Sequence, residues 1–175
     1  TYYSAIDSNR IPYNFHRINL AEFFQDCVED VGLDLESKNI ELNYSNLVDP
    51  STRIIADPEQ LKKVIDNIVG NSIKYMDKPK GVINIRILDE VDSVRVEIED
   101  NGKGISTKDL GKIFERFYRT DASRNSSTGG SGIGLSIVKK IIEDHGGYIW
   151  ATSKDGEGTC LHFVIRKYRE AEENE

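Results

Sequence analysis

The 175-residue sequence holds two cysteines, four prolines, one methionine and one tryptophan, and its 23 lysines and arginines are outnumbered by 30 aspartates and glutamates. Each scarcity excludes something. A net charge of −7 removes the general basic surface that recruits nucleic acid or an anionic membrane, so neither is expected as a partner. Cys27 and Cys160 each fall inside an apolar pattern, and neither has a second Cys or a His at the usual metal-ligand spacing. Buried free thiols of a reducing, cytosolic compartment are expected instead. No apolar run approaches the roughly 20 residues of a membrane-spanning helix, which argues against direct insertion, and the opening TYYSAIDSNR carries neither a charged leader nor an apolar stretch. What is present, 38% apolar and 30% charged residues, fits one globular domain with a real core.

Hydrophobic period orders the chain. Residues 1–17 are polar, weakly patterned and interrupted by Pro12, and read as a linker; residues 18–167 read as the domain and 168–175 as a charged tail. Leu20, Phe23, Phe24, Cys27, Val28 and Val31 recur at helical spacing behind a capping pair, Asn19 and Glu22. IELNYS and RIIA follow as short strands. Asp57-Pro58 reads as N-cap and first residue of a second helix with Leu61, Val64, Ile65, Ile68 and Met76 on one side. VINIRIL and VRVEIED alternate around the acidic connection DEVDS, a hairpin; a short helix begins near Ser106; a third long helix ends at Gly146-Gly147; and YIWATS and CLHFVI form a final hairpin. The expectation is an α/β two-layer sandwich, a mixed five-stranded sheet packed on three helices.

Three constellations carry chemistry. Asn67, Asn71 and Lys74 stand at i, i+4 and i+7, the latter two within roughly 40° of Asn67 around the helix. Two amides and an ammonium suit a magnesium triphosphate, because amide oxygens ligate a hard cation without repelling phosphate. A solvated helix flank would write the same stripe. In VRVEIEDNGKGI, Asn101-Gly102 alone signals a type I′ turn, yet a helical segment follows, so Asp100 ends a strand where a fixed carboxylate accepts from adenine's exocyclic amine while Gly102 and Gly104 admit close backbone approach. The third is STGGSGIGLSIVKK. The glycines follow a long polar loop rather than a strand, which disfavours a dinucleotide fold, and no G-x-x-x-x-G-K-[ST] string or protein-kinase H-R-D and D-F-G strings occur. A hinged lid whose helix N–H groups face phosphate remains.

DPEQLKKVIDNIVGNSIKY, DNGKGI, FERFYR and GGSGIGL occur in the order and spacing of the N box, first glycine box, F box and second glycine box. The chain resembles the ATP-binding catalytic domain of bacterial sensor histidine kinases, whose superfamily includes DNA gyrase and heat-shock chaperone ATPases, over about residues 15–166. The resemblance implies a Bergerat ATP-binding fold with a flexible lid, and ATP and Mg²⁺ as ligands. It implies that Asn71 ligates Mg²⁺ with Asn67 assisting, that Lys74 contacts phosphate, that Tyr75 stacks on adenine and that Asp100 binds its amino group, with Gly102, Gly104 and Ile105 shaping the pocket. Arg119 is expected at the terminal phosphates, and Gly130, Ser131, Gly132, Ile133, Gly134 and Leu135 are expected to carry the lid into its helix. Phe114 and Phe117 are expected to anchor the lid's base or simply to fill core.

None of His16, His145 and His162 stands in the H-E-x-[RK]-[TN]-P-type string of the family's phosphoacceptor, and His145 reads as a capping or packing residue. Ser72 and Met76 replace the Ala and the Ser or Thr common at these positions. The resemblance therefore implies a cytoplasmic catalytic domain, monomeric in isolation, of a membrane-anchored and homodimeric sensor. Its partners would be a separate dimerisation and phosphoacceptor helical domain and, downstream, a response-regulator receiver domain. An anti-sigma-type serine kinase and a non-catalytic nucleotide-sensing module are the rival readings. FERFYR and HGGYIW favour the histidine-kinase class.

Overall fold

The computed structural model describes residues 10–115 and 134–170. Strand β1 (His16–Asn19) leads into helix α1 (Leu20–Ser37), followed by β2 (Ile40–Asn46), β3 (Arg53–Ala56), α2 (Pro58–Lys74), β4 (Gly81–Glu90), β5 (Ser93–Asp100), the single turn α3 (Thr107–Leu110), α4 (Gly134–Asp144), β6 (Tyr148–Lys154) and β7 (Gly158–Arg166). The five-stranded sheet runs β2-β4-β5-β7-β6, with β2 parallel to β4 and every other neighbour antiparallel. The parallel pair needs a crossover, which β3 and α2 supply. A mixed five-stranded sheet and three long helices match the expected sandwich.

Alternation along the strands puts Ile83, Ile85, Ile87, Val94, Val96, Ile98, Leu161, Phe163 and Ile165 on one face, all buried. The helices close over it: α1 buries Leu20, Phe24, Cys27, Val31 and Leu35; α2 buries Leu61, Val64, Ile65, Ile68 and Val69; α4 buries Val138, Ile141 and Ile142. Cys27 and Cys160 are buried free thiols, each pushed up to about 12 chiefly by burial. No helix among the described residues is long and apolar enough to cross a membrane.

The helix ends follow their sequence signals. Asn19 Oδ1 accepts from Glu22 N–H at 2.9 Å, and Asp57 Oδ1 accepts from Glu59 and Gln60 N–H at 3.0 and 3.2 Å with Pro58 in the first turn. At the end of α4, Gly146 N–H donates to Glu143 O at 2.9 Å and Gly147 N–H to Ile142 O at 3.0 Å, the paired bonds of a Schellman ending.

The structure departs from the sequence reading in three places. The segment read as a linker is docked from residue 10 onward: Ile11 is buried, Tyr13 Oη donates to Asp144 at 2.6 Å and Asn14 N–H donates to Asp57 Oδ2 at 2.8 Å. The boundary expected after residue 17 thus falls inside β1. RIIA is a strand, but it pairs antiparallel with β1 as a separate two-stranded sheet. The β4–β5 hairpin is longer than the apolar pattern, because Asp89 pairs with Val94 and Glu90 with Ser93, so the ladder carries charged residues past the point where alternation ends.

Candidate functional site

Helix α2 delivers the amide and ammonium stripe to the mouth of the sandwich. Asn67 is exposed, Asn71 and Lys74 are half-buried, and the helix stops at Tyr75, whose N–H still donates to Asn71 O at 3.2 Å. The Tyr75 ring has Lys74 Nζ 5.6 Å and Lys103 Nζ 5.0 Å from its centroid. Opposite this helix end, β5 terminates in Asp100, only 8% exposed.

Asp100 Oδ1 accepts from Gly102 N–H at 2.9 Å, and the carboxylate also accepts from the Ser72 hydroxyl and the Thr159 N–H. Burial raises its pKa above the ordinary aspartate value against the opposing pull of those three donors. A carboxylate offers about four lone-pair positions, so three donors leave room for one more.

The loop after Asp100 is tied on both sides. Lys103 N–H donates to Tyr75 O at 3.1 Å, while Gly156 N–H reaches Lys103 O at 2.6 Å and Ile105 N–H reaches Ser153 Oγ at 2.7 Å. Asn101 turns its side chain inward, accepting from Val82 N–H at 2.8 Å and donating to Lys80 O at 3.0 Å. That use of Asn101 converts an Asn-Gly hairpin signal into a strand-to-loop exit. Backbone crowding explains the glycines: a Cβ at residue 102 would stand 2.6 Å from Tyr75 O, and one at residue 104, whose φ is +76°, would stand 2.3 Å from Lys154 O.

The structure therefore brings Asn71, Lys74, Tyr75, Asp100, Gly102, Gly104 and Ile105 to one end of the sandwich, with Asn67 one turn back along α2. Gly134 opens α4, and Leu135 packs against the core. Arg119, Gly130, Ser131, Gly132 and Ile133, together with Phe117, lie outside the described residues. Phe114 is half-buried against the core, as a packing aromatic. Asn67 and Asn71 supply neutral amide oxygens, the donor type a hard divalent cation accepts beside phosphate.

Sequence reasoning passed over Ser72, Thr159, Lys103 and Lys78, whose Nζ donates to Gly102 O at 2.9 Å. Ser72 had a legible signal: a hydroxyl on the buried stripe of Ile65, Ile68 and Val69, where an apolar residue would otherwise stand. His145 packs and caps as expected, accepting from Asp57 N–H at Nε2 over 3.0 Å while Nδ1 lies 2.8 Å from Ile141 O.

A family model described as histidine kinase-, DNA gyrase B- and HSP90-like ATPase matches residues 56–169. The chain is 33% identical to the sensor histidine kinase WalK of Bacillus subtilis (strain 168), over 98% of this chain and 28% of that protein. It thus spans less than a third of that curated relative's length. Among solved structures, the nucleotide-free catalytic domain of histidine kinase ThkA superposes with a TM-score of 0.74 at 31% identity, covering 87% of this chain and 97% of the other. ThkA in complex with the response regulator protein TrrA superposes with a TM-score of 0.71 at 30% identity, covering 88% of this chain and 42% of that one.

Proposed function

Because the chain belongs to the family of histidine kinase-, DNA gyrase B- and HSP90-like ATPases, we propose that it is the ATP-binding catalytic domain of a two-component sensor histidine kinase. In this reading it transfers the γ-phosphate of ATP to a histidine on a separate dimerisation domain, for relay to a response-regulator receiver domain. The observation that carries the reading is Asp100: a buried carboxylate held by the Gly102 N–H at 2.9 Å and facing the end of α2, with acceptor capacity suited to adenine's amino group. Tyr75 supplies a flat apolar surface for the base, and the glycines at 102 and 104 let the loop pack closely on the backbone at Tyr75 and Lys154, which fixes the pocket's floor.

From the adenine end, α2 runs back through Lys74, Asn71 and Asn67. Lys74 offers a point charge to phosphate, and Asn71 with Asn67 would hold Mg²⁺, which neutralises charge on the triphosphate when bound. Positioning and charge stabilisation are the protein's whole contribution to such a transfer, since the transition state needs little covalent help. Arg119 and residues 130–133, which lie outside the described residues, are assigned to phosphate contact and lid by their place in the motifs alone. The WalK and ThkA likenesses support a sensor-kinase setting, and the ThkA–TrrA complex supports a response regulator as the downstream partner; that the whole sensor is a membrane-anchored dimer with this domain on the cytoplasmic side is part of the proposal.

Calorimetric titration with nucleotides tests the pocket. ATP should bind in a Mg²⁺-dependent manner, GTP much more weakly, and Asp100→Asn should weaken ATP, because an amide cannot accept from three donors and a fourth. Equal affinity of the wild type and Asp100→Asn would contradict the assignment.

A further inference from the structure

The sheet face away from the helices carries a cluster that the nucleotide site does not use. Glu97, Cys160 and His162 each place a ligand atom there, all within 4.8 Å of one another. Zinc-module spacings miss it, because they describe turns and helices. Here Cys160 and His162 stand two apart on β7, so both point to the open face, and the β5–β7 register sets Glu97 directly across from His162. Cys160 is buried, and the side chains of His162 and Glu97 are only 13% and 12% exposed.

The contacts have the form of a ligand set. His162 Nδ1 lies 2.9 Å from Glu97 Oε2, and since the carboxylate can only accept, something electropositive must stand between them, a proton or a metal. His162 Nε2 lies 2.8 Å from Thr152 Oγ1, the outer partner that orients a metal-bound imidazole. The Trp150 ring stacks on the imidazole at 4.9 Å and 3°, fixing its plane. Arg86 Nε donates to the other oxygen of Glu97, Oε1, at 3.0 Å, which holds the carboxylate with Oε2 toward the histidine. Of the three, Cys160 lines a cleft of about 510 Å³ whose walls include Asn84, Glu99, Thr152 and Lys154, which opens the sulfur side of the cluster to solvent and has room for a water.

We propose that Glu97, Cys160 and His162 bind one Zn²⁺ ion, with a water from the cleft as fourth ligand. Thiolate, imidazole and carboxylate together suit a borderline-soft cation in tetrahedral geometry and disfavour Mg²⁺ or Ca²⁺. Arg86, with Nη2 3.9 Å from Cys160 Sγ, is the group the ion displaces from sulfur, and it keeps its bonds to Glu97 Oε1 and Glu99. Arg95, 3.5 Å from Glu97 Oε2, is the second cation the ion must outcompete. On binding, the Cys160 thiol proton leaves to solvent, and the proton between His162 and Glu97 gives way to the metal. The bound ion would clamp β5 to β7, whose ladder closes with Asp100 opposite Thr159.

The test uses the unmutated chain, stripped with chelator, kept reduced and free of nucleotide, so its result is independent of ATP binding. Titration with Co²⁺ should give one ion per chain, a thiolate-to-cobalt charge-transfer band and, with the same midpoint, a change in the emission of Trp150, the sole tryptophan. Zn²⁺ should displace the cobalt. The band should persist in Cys27→Ser, vanish in Cys160→Ser and require about tenfold or more higher metal in Thr152→Val. Absence of the band and of the Trp150 response in the unmutated chain, or a band that survives Cys160→Ser, would overturn the proposal.

Discussion

Asp100 was legible in the sequence as the last residue of an alternating strand before a glycine pair, because a fixed carboxylate at a strand end is where recognition of a base is cheapest in entropy. Ser72 was legible as a hydroxyl on a buried stripe, but not as the partner of Asp100. Its hydroxyl reads locally as a small residue tolerated on a helix stripe, and only the packing of α2 on the end of β5 shows that it donates to Asp100. Removing it should leave the carboxylate one donor short and less fixed. Ser72→Ala is expected to cost about 1.5 kcal/mol of ATP binding, near tenfold in Kd, in line with a hydrogen bond to a charged group. Isothermal titration calorimetry reads this directly, and an unchanged Kd would remove Ser72 from the site. His162 shows the opposite limit: its two-residue step from Cys160 is plain in the sequence, but its pairing with Glu97 depends on strand register, which no local pattern encodes.

Among the elements, long periodic segments were readable and short ones were not. α1, α2 and α4 announce themselves by caps and apolar stripes, whereas β1 is four residues whose strand partner among the described residues, β3, lies more than 30 positions on. The docked entry segment follows from contacts of that kind, and His145 is its keystone. Its ring meets Tyr13 and Phe15 edge-on at 5.5 and 5.0 Å, and its Nε2 accepts from the N–H of Asp57, which caps α2. An accepting Nε2 must be unprotonated. Burial accordingly lowers the His145 pKa from its ordinary value, opposed by its hydrogen bond to Ile141 O and the charges of Asp57 and Asp144. The unfolded chain therefore binds the proton more readily than the fold, so this stability is fully present above about pH 6.5 and lost as pH falls through the lowered folded value. Urea midpoints measured across this window should fall with acidity in the wild type and fall less in His145→Gln. Parallel pH profiles for the two would contradict the linkage.

At the scale of the molecule, one amphipathic sheet divides the labour. Its apolar face is filled by three helices, and the ends of β5 and α2 meet at the nucleotide site, while its polar face holds an ion-pair network of Arg86, Glu97 and Glu99 and the cysteine–histidine cluster. The fold class and the sheet's mixed character followed from hydrophobic period and the two hairpins, and the grouping of Asn71, Lys74, Tyr75 and Asp100 followed from motif order, because each motif sits at an element boundary where the backbone leaves the core. The division of the two sheet faces did not, since it depends on how five separated strands align.

In the proposed reaction this end of the sandwich presents a γ-phosphate to an external histidine. The most direct measurement incubates the chain with labelled ATP, Mg²⁺ and a cognate phosphoacceptor hairpin. An acid-labile, base-stable phosphohistidine should form on the hairpin, with little label on the chain itself and loss of transfer in Asn71→Ala. Tight ATP binding without transfer, label on a serine of the partner, or equal transfer by Asn71→Ala would contradict it.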